Sequence, residues 1–144
     1  MNCAQETDLP WVVDTCLLID IADADPSFAA GSAALLDKMR TDGLVISPVT
    51  YVELAPVFDG DTARQEYFLY HLEVSWTEAW THSETLAAHA GWHRYVQAKR
   101  LRRIPKRPIA DLLIGAFAER CDGLLTRNES DFRQVFPGLP ILVP

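Results

Sequence analysis

Pro108-Ile-Ala-Asp111-Leu-Leu-Ile-Gly-Ala-Phe-Ala-Glu-Arg-Cys-Asp122-Gly123-Leu-Leu-Thr126-Arg-Asn128-Glu-Ser-Asp131-Phe132 is the stretch on which the reading of the fold turns. Proline opens it, as suits the first position of a helix. Ile109, Leu112, Leu113, Ala116 and Phe117 then recur at i, i+3, i+4, i+7 and i+8, the spacing of a helical face turned to a core. Asp122-Gly123 is a turn signal. Leu-Leu-Thr after it is a short buried strand, and Ser130 to Val135 a helical turn. A helix leading through a tight turn into a buried strand is half of a strand–helix–strand unit.

The same grammar runs outward from there. Trp11-Val-Val-Asp14 is an apolar strand ending in an acid, and Thr-Cys-Leu-Leu-Ile-Asp-Ile-Ala after it has helical spacing. Ser27 to Met39 reads as a helix with Ser27 as its cap. Leu-Val-Ile-Ser is a second strand. Ser47-Pro48 is a cap followed by proline, opening a helix that carries Thr50 and Glu53. Thr62 to His71 is a further helix and Leu-Glu-Val-Ser-Trp a third strand. Thr81 with Glu84 fits a capping box and opens a helix to about Arg100. Pro137-Gly138 precedes a last strand, Pro-Ile-Leu-Val. Short apolar strands alternating with helices predict an α/β three-layer sandwich, with a central, mostly parallel sheet and helices on both faces. Residues 1–10 read as a short N-terminal extension and 11–144 as one domain.

Composition is ordinary for a globular chain of 144 residues: 49% hydrophobic, 23% charged. No apolar run is long enough for a membrane span and no leader is evident, so a cytoplasmic location is expected. Three cysteines without a paired spacing argue against a disulfide framework or zinc site; Cys16 and Cys121 read as small core residues. Net charge is −7, yet no acid occurs between Thr85 and Ala110, where Arg94, Lys99, Arg100, Arg102, Arg103, Lys106 and Arg107 fall. That segregation suggests one face for an anion. Arg100, Arg102, Arg103, Lys106 and Arg107 are candidate contacts to a nucleic-acid phosphate backbone, the alternative being a solvated helix end. Trp76, Trp80, Trp92 and Tyr95 suit core or dimer packing better than base stacking. His89 and His93 have metal-ligand spacing but no third partner.

In parallel sheets ligands bind at the carboxyl ends of strands, where Asp14, Glu53 and Asp131 are expected. Singly, each acid has a structural reading: Asp14 as a cap, Glu53 as a solvated helix residue, Asp111 and Asp131 as acids favoured in first helical turns. Jointly, four carboxylates at one edge would repel by about 4 kcal/mol per close pair at a dielectric near 20. A divalent cation relieves that, and Mg²⁺ or Mn²⁺, as one or two ions, suits carboxylate oxygens and can activate a water against a phosphodiester.

These motifs resemble the PIN-domain ribonucleases, and among them the VapC toxins of bacterial toxin–antitoxin pairs. Val-Val-Asp-Thr-Cys-Leu-Leu-Ile-Asp-Ile is similar to the family's first motif, Ser-Pro-Val-Thr-Tyr-Val-Glu-Leu to the second, and the stretch quoted at the outset to the third and fourth, ending in Thr-Arg-Asn-x-x-Asp-Phe. The resemblance runs from about Val12 to Pro144. It implies Asp14, Glu53, Asp111 and Asp131 as the catalytic quartet, with Asp14, Asp111 and Asp131 on the metal and Thr15, Thr126 and Asn128 in support. It implies metal-dependent hydrolysis of RNA, a homodimer, and a cognate VapB-type antitoxin. Cys16 departs from the pattern, standing where an amide or hydroxyl residue is frequent. So does Asn128, which replaces a frequent aspartate and brings no charge to a second metal. The rival readings are a PIN nuclease of RNA processing without an antitoxin, and a non-nuclease phosphate-handling α/β domain. A haloacid-type phosphatase would need an aspartate at Cys16. A signalling receiver would need an acidic pair before the first helix and a late lysine.

Overall fold

The computed structural model describes residues 8–101 and 109–144. Most of the expected N-terminal extension and the segment 102–108 lie outside them, as do the side chains of Arg100 and Leu101. Five strands form one sheet in the order β3-β2-β1-β4-β5, every pair parallel. They are β1 (Trp11–Val13), β2 (Leu44–Val45), β3 (Val74–Ser75), β4 (Gly123–Leu125) and β5 (Ile141–Leu142). Between and after them run α1 (Thr15–Ala22), α2 (Ala29–Met39), α3 (Pro48–Glu53), α4 (Thr62–His71), α5 (His82–Leu101), α6 (Ile109–Ala118) and α7 (Glu129–Val135). Strands this short and apolar are stable only when both faces are covered.

Neighbouring strand residues point to opposite faces, and β1, β2, β4 and β5 contribute to two cores, β3 to one. Val12, Val45, Leu124 and Ile141 pack with Ala88 and Tyr95 of α5, Leu112, Ile114, Ala116 and Phe117 of α6, and Phe132 and Val135 of α7. Val13, Leu44, Val74 and Leu125 pack on the other side with Leu17 and Leu18 of α1, Leu35 and Leu36 of α2, Leu54 after α3, and Leu69 of α4. The expected three-layer α/β sandwich is therefore present, with a sheet that is wholly parallel.

Three local expectations are corrected. Ser27 does not cap α2: the Asp25 carboxylate accepts from the backbone amides of Ser27 and Phe28, and the helix begins at Ala29. Ile109 does not belong to the buried face of α6; it is 60% exposed, and Ile114 and Gly115 lie inside instead. Cys16 and Cys121, read as core residues, are half-buried and pack against the two cores from their margins. The Ser47 cap is as expected, its hydroxyl accepting from the Thr50 amide ahead of Pro48. Glu84 accepts from both the amide and the hydroxyl of Thr81 and pairs with Arg120.

Gly115 of α6 sets how closely the C-terminal segment approaches. A Cβ there would stand 2.4 Å from Cε2 and 2.6 Å from Cδ2 of Phe136, and 3.2 Å from Cδ1 of Phe132. Both rings are fully buried. Alanine is the better helix former by about 1 kcal/mol, but overpacking a dense core costs about 1–3 kcal/mol. Gly115→Ala is expected to be net destabilising, read as a lower urea midpoint with an unchanged slope.

Candidate active site

Strand pairing builds the first half of the site. Val13 stands opposite Leu125 in the β1–β4 ladder, so the next residues, Asp14 and Thr126, emerge side by side at the carboxyl edge. The Asp14 amide donates to the Leu125 carbonyl at 2.9 Å. The Thr126 hydroxyl, fully buried, donates to Asp14 Oδ2 at 2.7 Å and accepts from the Asn128 amide at 3.0 Å. The Cys16 thiol donates to the same Asp14 oxygen at 3.3 Å. Asp14 occupies the cap position of α1 but makes no side-chain capping bond. The bland reading of this residue as a helix cap therefore does not describe its carboxylate.

Only 3% of Asp14 is exposed. Burial pushes its carboxyl above the ordinary 3.8, while the hydrogen bonds from Thr126 and Cys16 and the charge of Arg127 pull it back without cancelling the effect. Burial, then the Asp14 charge, push the Cys16 thiol up to about 12. Cys16 is a hydrogen-bond donor here and not a nucleophile, since the thiolate is the reactive form.

The second half comes from β2 and α3. The Thr15 hydroxyl, at the start of α1, donates to Glu53 Oε1 at 2.8 Å, and its oxygen lies 2.9 Å from Thr50 Oγ1. Ser47 Oγ lies 3.4 Å from the same Thr50 oxygen. Glu53 is exposed on its helix, but one carboxylate oxygen is tied to the residue that follows Asp14. Thr15 thus joins the two acids through adjacent backbone and a side-chain bond.

Asp111 and Asp131 are half-buried in the first turns of α6 and α7. Helix α6 packs against α3, α7, β1 and β4. Asn128 is the cap residue of α7, yet its side chain makes no capping bond; its contribution is the amide that donates to Thr126. The donors are carboxylate oxygens, which in kind fit a hard divalent cation. Among the described residues, the counter-charge that reaches the buried Asp14 carboxylate is that of Arg127. Among the described residues, however, no three His, Cys, Asp or Glu side chains form a group able to enclose a metal ion. The exposed pair His89 and His93 is included in that statement.

Of the basic stretch, Lys99 is exposed. Arg94 is engaged, its Nε donating to the Val135 carbonyl at 2.8 Å and its guanidinium lying 5.7 Å from the Phe136 ring centre. Arg102, Arg103, Lys106 and Arg107, and the side chain of Arg100, fall outside the described residues. Trp80 stacks near Phe117, Trp76 packs against the second core, and Trp92, 44% exposed, lies beside the buried Tyr95.

Sequence reading missed Asp20 and Arg127. Asp20 is buried, and Arg127 donates to it through Nε at 2.7 Å and through a terminal nitrogen at 3.0 Å. The signal was an acid inside the apolar helix Thr-Cys-Leu-Leu-Ile-Asp-Ile-Ala, where a lone charge needs a partner.

Comparison with known proteins gives three findings. A family model, PIN domain, matches residues 11–136. No curated protein matches the sequence. Among solved structures, the chain is similar to one from "VapBC2 from Rickettsia felis bound to a DNA fragment from their promoter". The TM-score is 0.64 at 17% identity, over 94% of this chain and 99% of the other.

Because the fold raises the Asp14 carboxyl above its unfolded value, it favours the protonated acid. The resulting penalty is absent below the unfolded value and is felt in full above the folded one. In metal-free buffer, Asp14→Asn is expected to melt higher than wild type at pH 7. The difference should close as pH falls to about 4, the ordinary carboxylate range. A kcal/mol corresponds to about 2–4 °C in a chain of this size, so a melting series over pH reads it directly.

Proposed function

The chain belongs to the PIN domain family, a family of nucleases, and from that premise we propose that it is a metal-dependent endoribonuclease acting as the toxin of a VapBC-type toxin–antitoxin pair. The observation that carries the nuclease reading is the Asp14 carboxylate. It is buried at the carboxyl end of the central strand, costs stability there, and is oriented by two side-chain donors rather than used as a cap. A fold that spends free energy to hold an acid in a fixed direction is using it for something other than stability.

In this reading Asp14, Asp111 and Asp131 would hold one or two Mg²⁺ or Mn²⁺ ions. A bound divalent cation supplies an acidified water and neutralises charge on a phosphodiester. The chain's own residues do the rest. Thr126 and Cys16 fix the direction of Asp14. Thr15, itself within reach of Thr50, fixes Glu53, whose exposed carboxylate is free on its outer side to accept a proton from water at the edge of the site. No side chain is needed as a nucleophile, and Cys16 is too weak an acid to serve. Arg100, Arg102, Arg103, Lys106 and Arg107 are proposed to hold the RNA backbone, supported by their segregation in an otherwise acidic chain. The proposed partner is a small VapB-type antitoxin bearing basic side chains, in keeping with the net charge of −7 and with the VapBC2 complex to which the fold is similar. A homodimer is proposed on the family resemblance. No helix among the described residues is long and apolar enough to cross a membrane.

Purified protein incubated with total RNA should yield cuts with 5′-phosphate and 3′-hydroxyl ends when Mn²⁺ or Mg²⁺ is present, and none after exhaustive EDTA treatment. Asp14→Asn and Asp111→Asn should each lower cleavage by at least about 100-fold while the protein stays folded, a size usual for loss of one charge-stabilising or proton-transferring group. Undiminished cutting in EDTA would remove the metal from the mechanism.

Expression alone should arrest growth, and co-expression of a small neighbouring gene product that binds this one should restore it. Retained growth arrest with every neighbouring product would favour a PIN nuclease without an antitoxin.

A further inference from the structure

The Thr126–Asn128 turn is short, bridges β4 and α7, and carries the donor that orients Asp14. Its three residues are fixed in three directions. Thr126 reaches Asp14, the Asn128 amide is drawn back onto Thr126 Oγ1, and Arg127 between them reaches away to Asp20 on α1. Asp20 is 4% exposed and accepts three side-chain hydrogen bonds, two from Arg127 and one from the Ser32 hydroxyl of α2 at 3.0 Å. The Arg127 guanidinium lies 4.0 Å from the centre of the Phe28 ring, which shields the pair from one side although the ring itself is 44% exposed. The pair therefore joins α1, α2 and the β4–α7 turn through one two-pronged contact whose geometry tolerates little rotation.

We propose that the Asp20–Arg127 ion pair is a positioning device for the active-site turn: it sets the direction of Thr126, and through Thr126 that of Asp14, without touching substrate. Three considerations lead there. The pair spans 107 residues of sequence, so it is not a local helix contact. A buried ion pair gives little net stability compared with apolar residues of the same volume, but its forked, directional contact fixes one geometry between the segments it joins. And the residues on either side of Arg127 are the ones whose placement the Asp14 contact requires. The molecule contains a second pair of similar burial, Glu84–Arg120, which joins α5 to the turn that follows α6. It makes no bond to Asp14, Thr15, Glu53 or Thr126 and serves as an internal comparison.

The inference rests on the nuclease reading for its kinetic readout but has a second readout that does not. The experiment compares wild type, Arg127→Lys, Arg127→Met, Asp20→Asn and, as the control, Glu84→Gln. Melting temperature, kcat and KM for RNA cleavage with Mn²⁺, and hydrogen exchange of the Asn128 amide are measured for each. Lysine keeps the charge but replaces the fork with a point donor. The expected result is a fall in kcat of about 10–100-fold for Arg127→Lys and Asp20→Asn, the size that follows a small displacement of a catalytic group. KM should stay close to wild type, Arg127→Met should lose more than Arg127→Lys, and Asn128 exchange should speed up in all three. Glu84→Gln should melt lower with kcat and Asn128 exchange unchanged.

A kcat loss in Glu84→Gln equal to that in Arg127→Lys at matched stability would overturn the proposal, because the effect would then be one of general loosening. So would a rise in KM with kcat intact, which would make Arg127 a substrate contact, or an unchanged Asn128 exchange rate. If wild type cuts no RNA, the nuclease reading fails, and the exchange rate alone decides between a positioned turn and an indifferent one.

Discussion

Parallel pairing of β1 with β4, with Val13 opposite Leu125, is the constraint on which the rest depends. It places these strands at the centre of the sheet, with β2 and β3 on one side and β5 on the other. It also fixes which residues leave the sheet together. One step past the register pair, Asp14 and Thr126 meet at a separation short enough for a hydrogen bond. A slip by one residue would turn every strand side chain to the opposite face. Val12 would enter the core of Val13, and Thr126 would no longer face Asp14. Core packing and the site are thus set by the same register, so the apolar alternation that stabilises the sheet also aligns a polar contact that does not.

The physical reason for the raised Asp14 carboxyl differs from the one the sequence suggested. Four acids counted along the chain pointed to mutual repulsion. The structure attributes the raised carboxyl first to burial, with hydrogen bonds opposing it. A sequence reveals charges but not the solvent taken from them. Thr126, a hydroxyl at the end of an apolar strand, is the residue that makes such burial tolerable, and its lack of charge makes it easy to undervalue.

The strand–helix alternation was legible where elements announced their starts. Ser47-Pro48 opened α3, Thr81 with Glu84 opened α5, and Asp122-Gly123 preceded β4, all as the chain folds. Failures came where tertiary contacts outweigh local preference. Asp25 took the capping role that Ser27 suggested. Ile109 has the right spacing for a buried face but sits at the first residue of α6, before the helix meets the core. Asp14 falls at a strand end and Asp111 and Asp131 in first helical turns, as their local sequence indicates, whereas Glu53 closes α3 and the mutual geometry of the acids is not a property of spacing. The Asp20–Arg127 pair was illegible for the same reason: 107 residues separate its members, and only the sheet brings them together.

Phe136 has a consequence for chemical control of the protein. Its ring is seated between Gly91 of α5, whose added Cβ would lie 2.9 Å from Cζ, and Gly115 of α6. Glycines have no side chains that could swing inward if the ring were removed. A truncated residue at position 136 would leave a void walled on both helices by backbone, with little capacity to collapse and with the Arg94 guanidinium on one side, and a void of that shape suits a small aromatic molecule that restores the ring under the cation. The seat of this one ring is therefore a place where stability can be made conditional on an added benzene-like compound without substituting any of the acids.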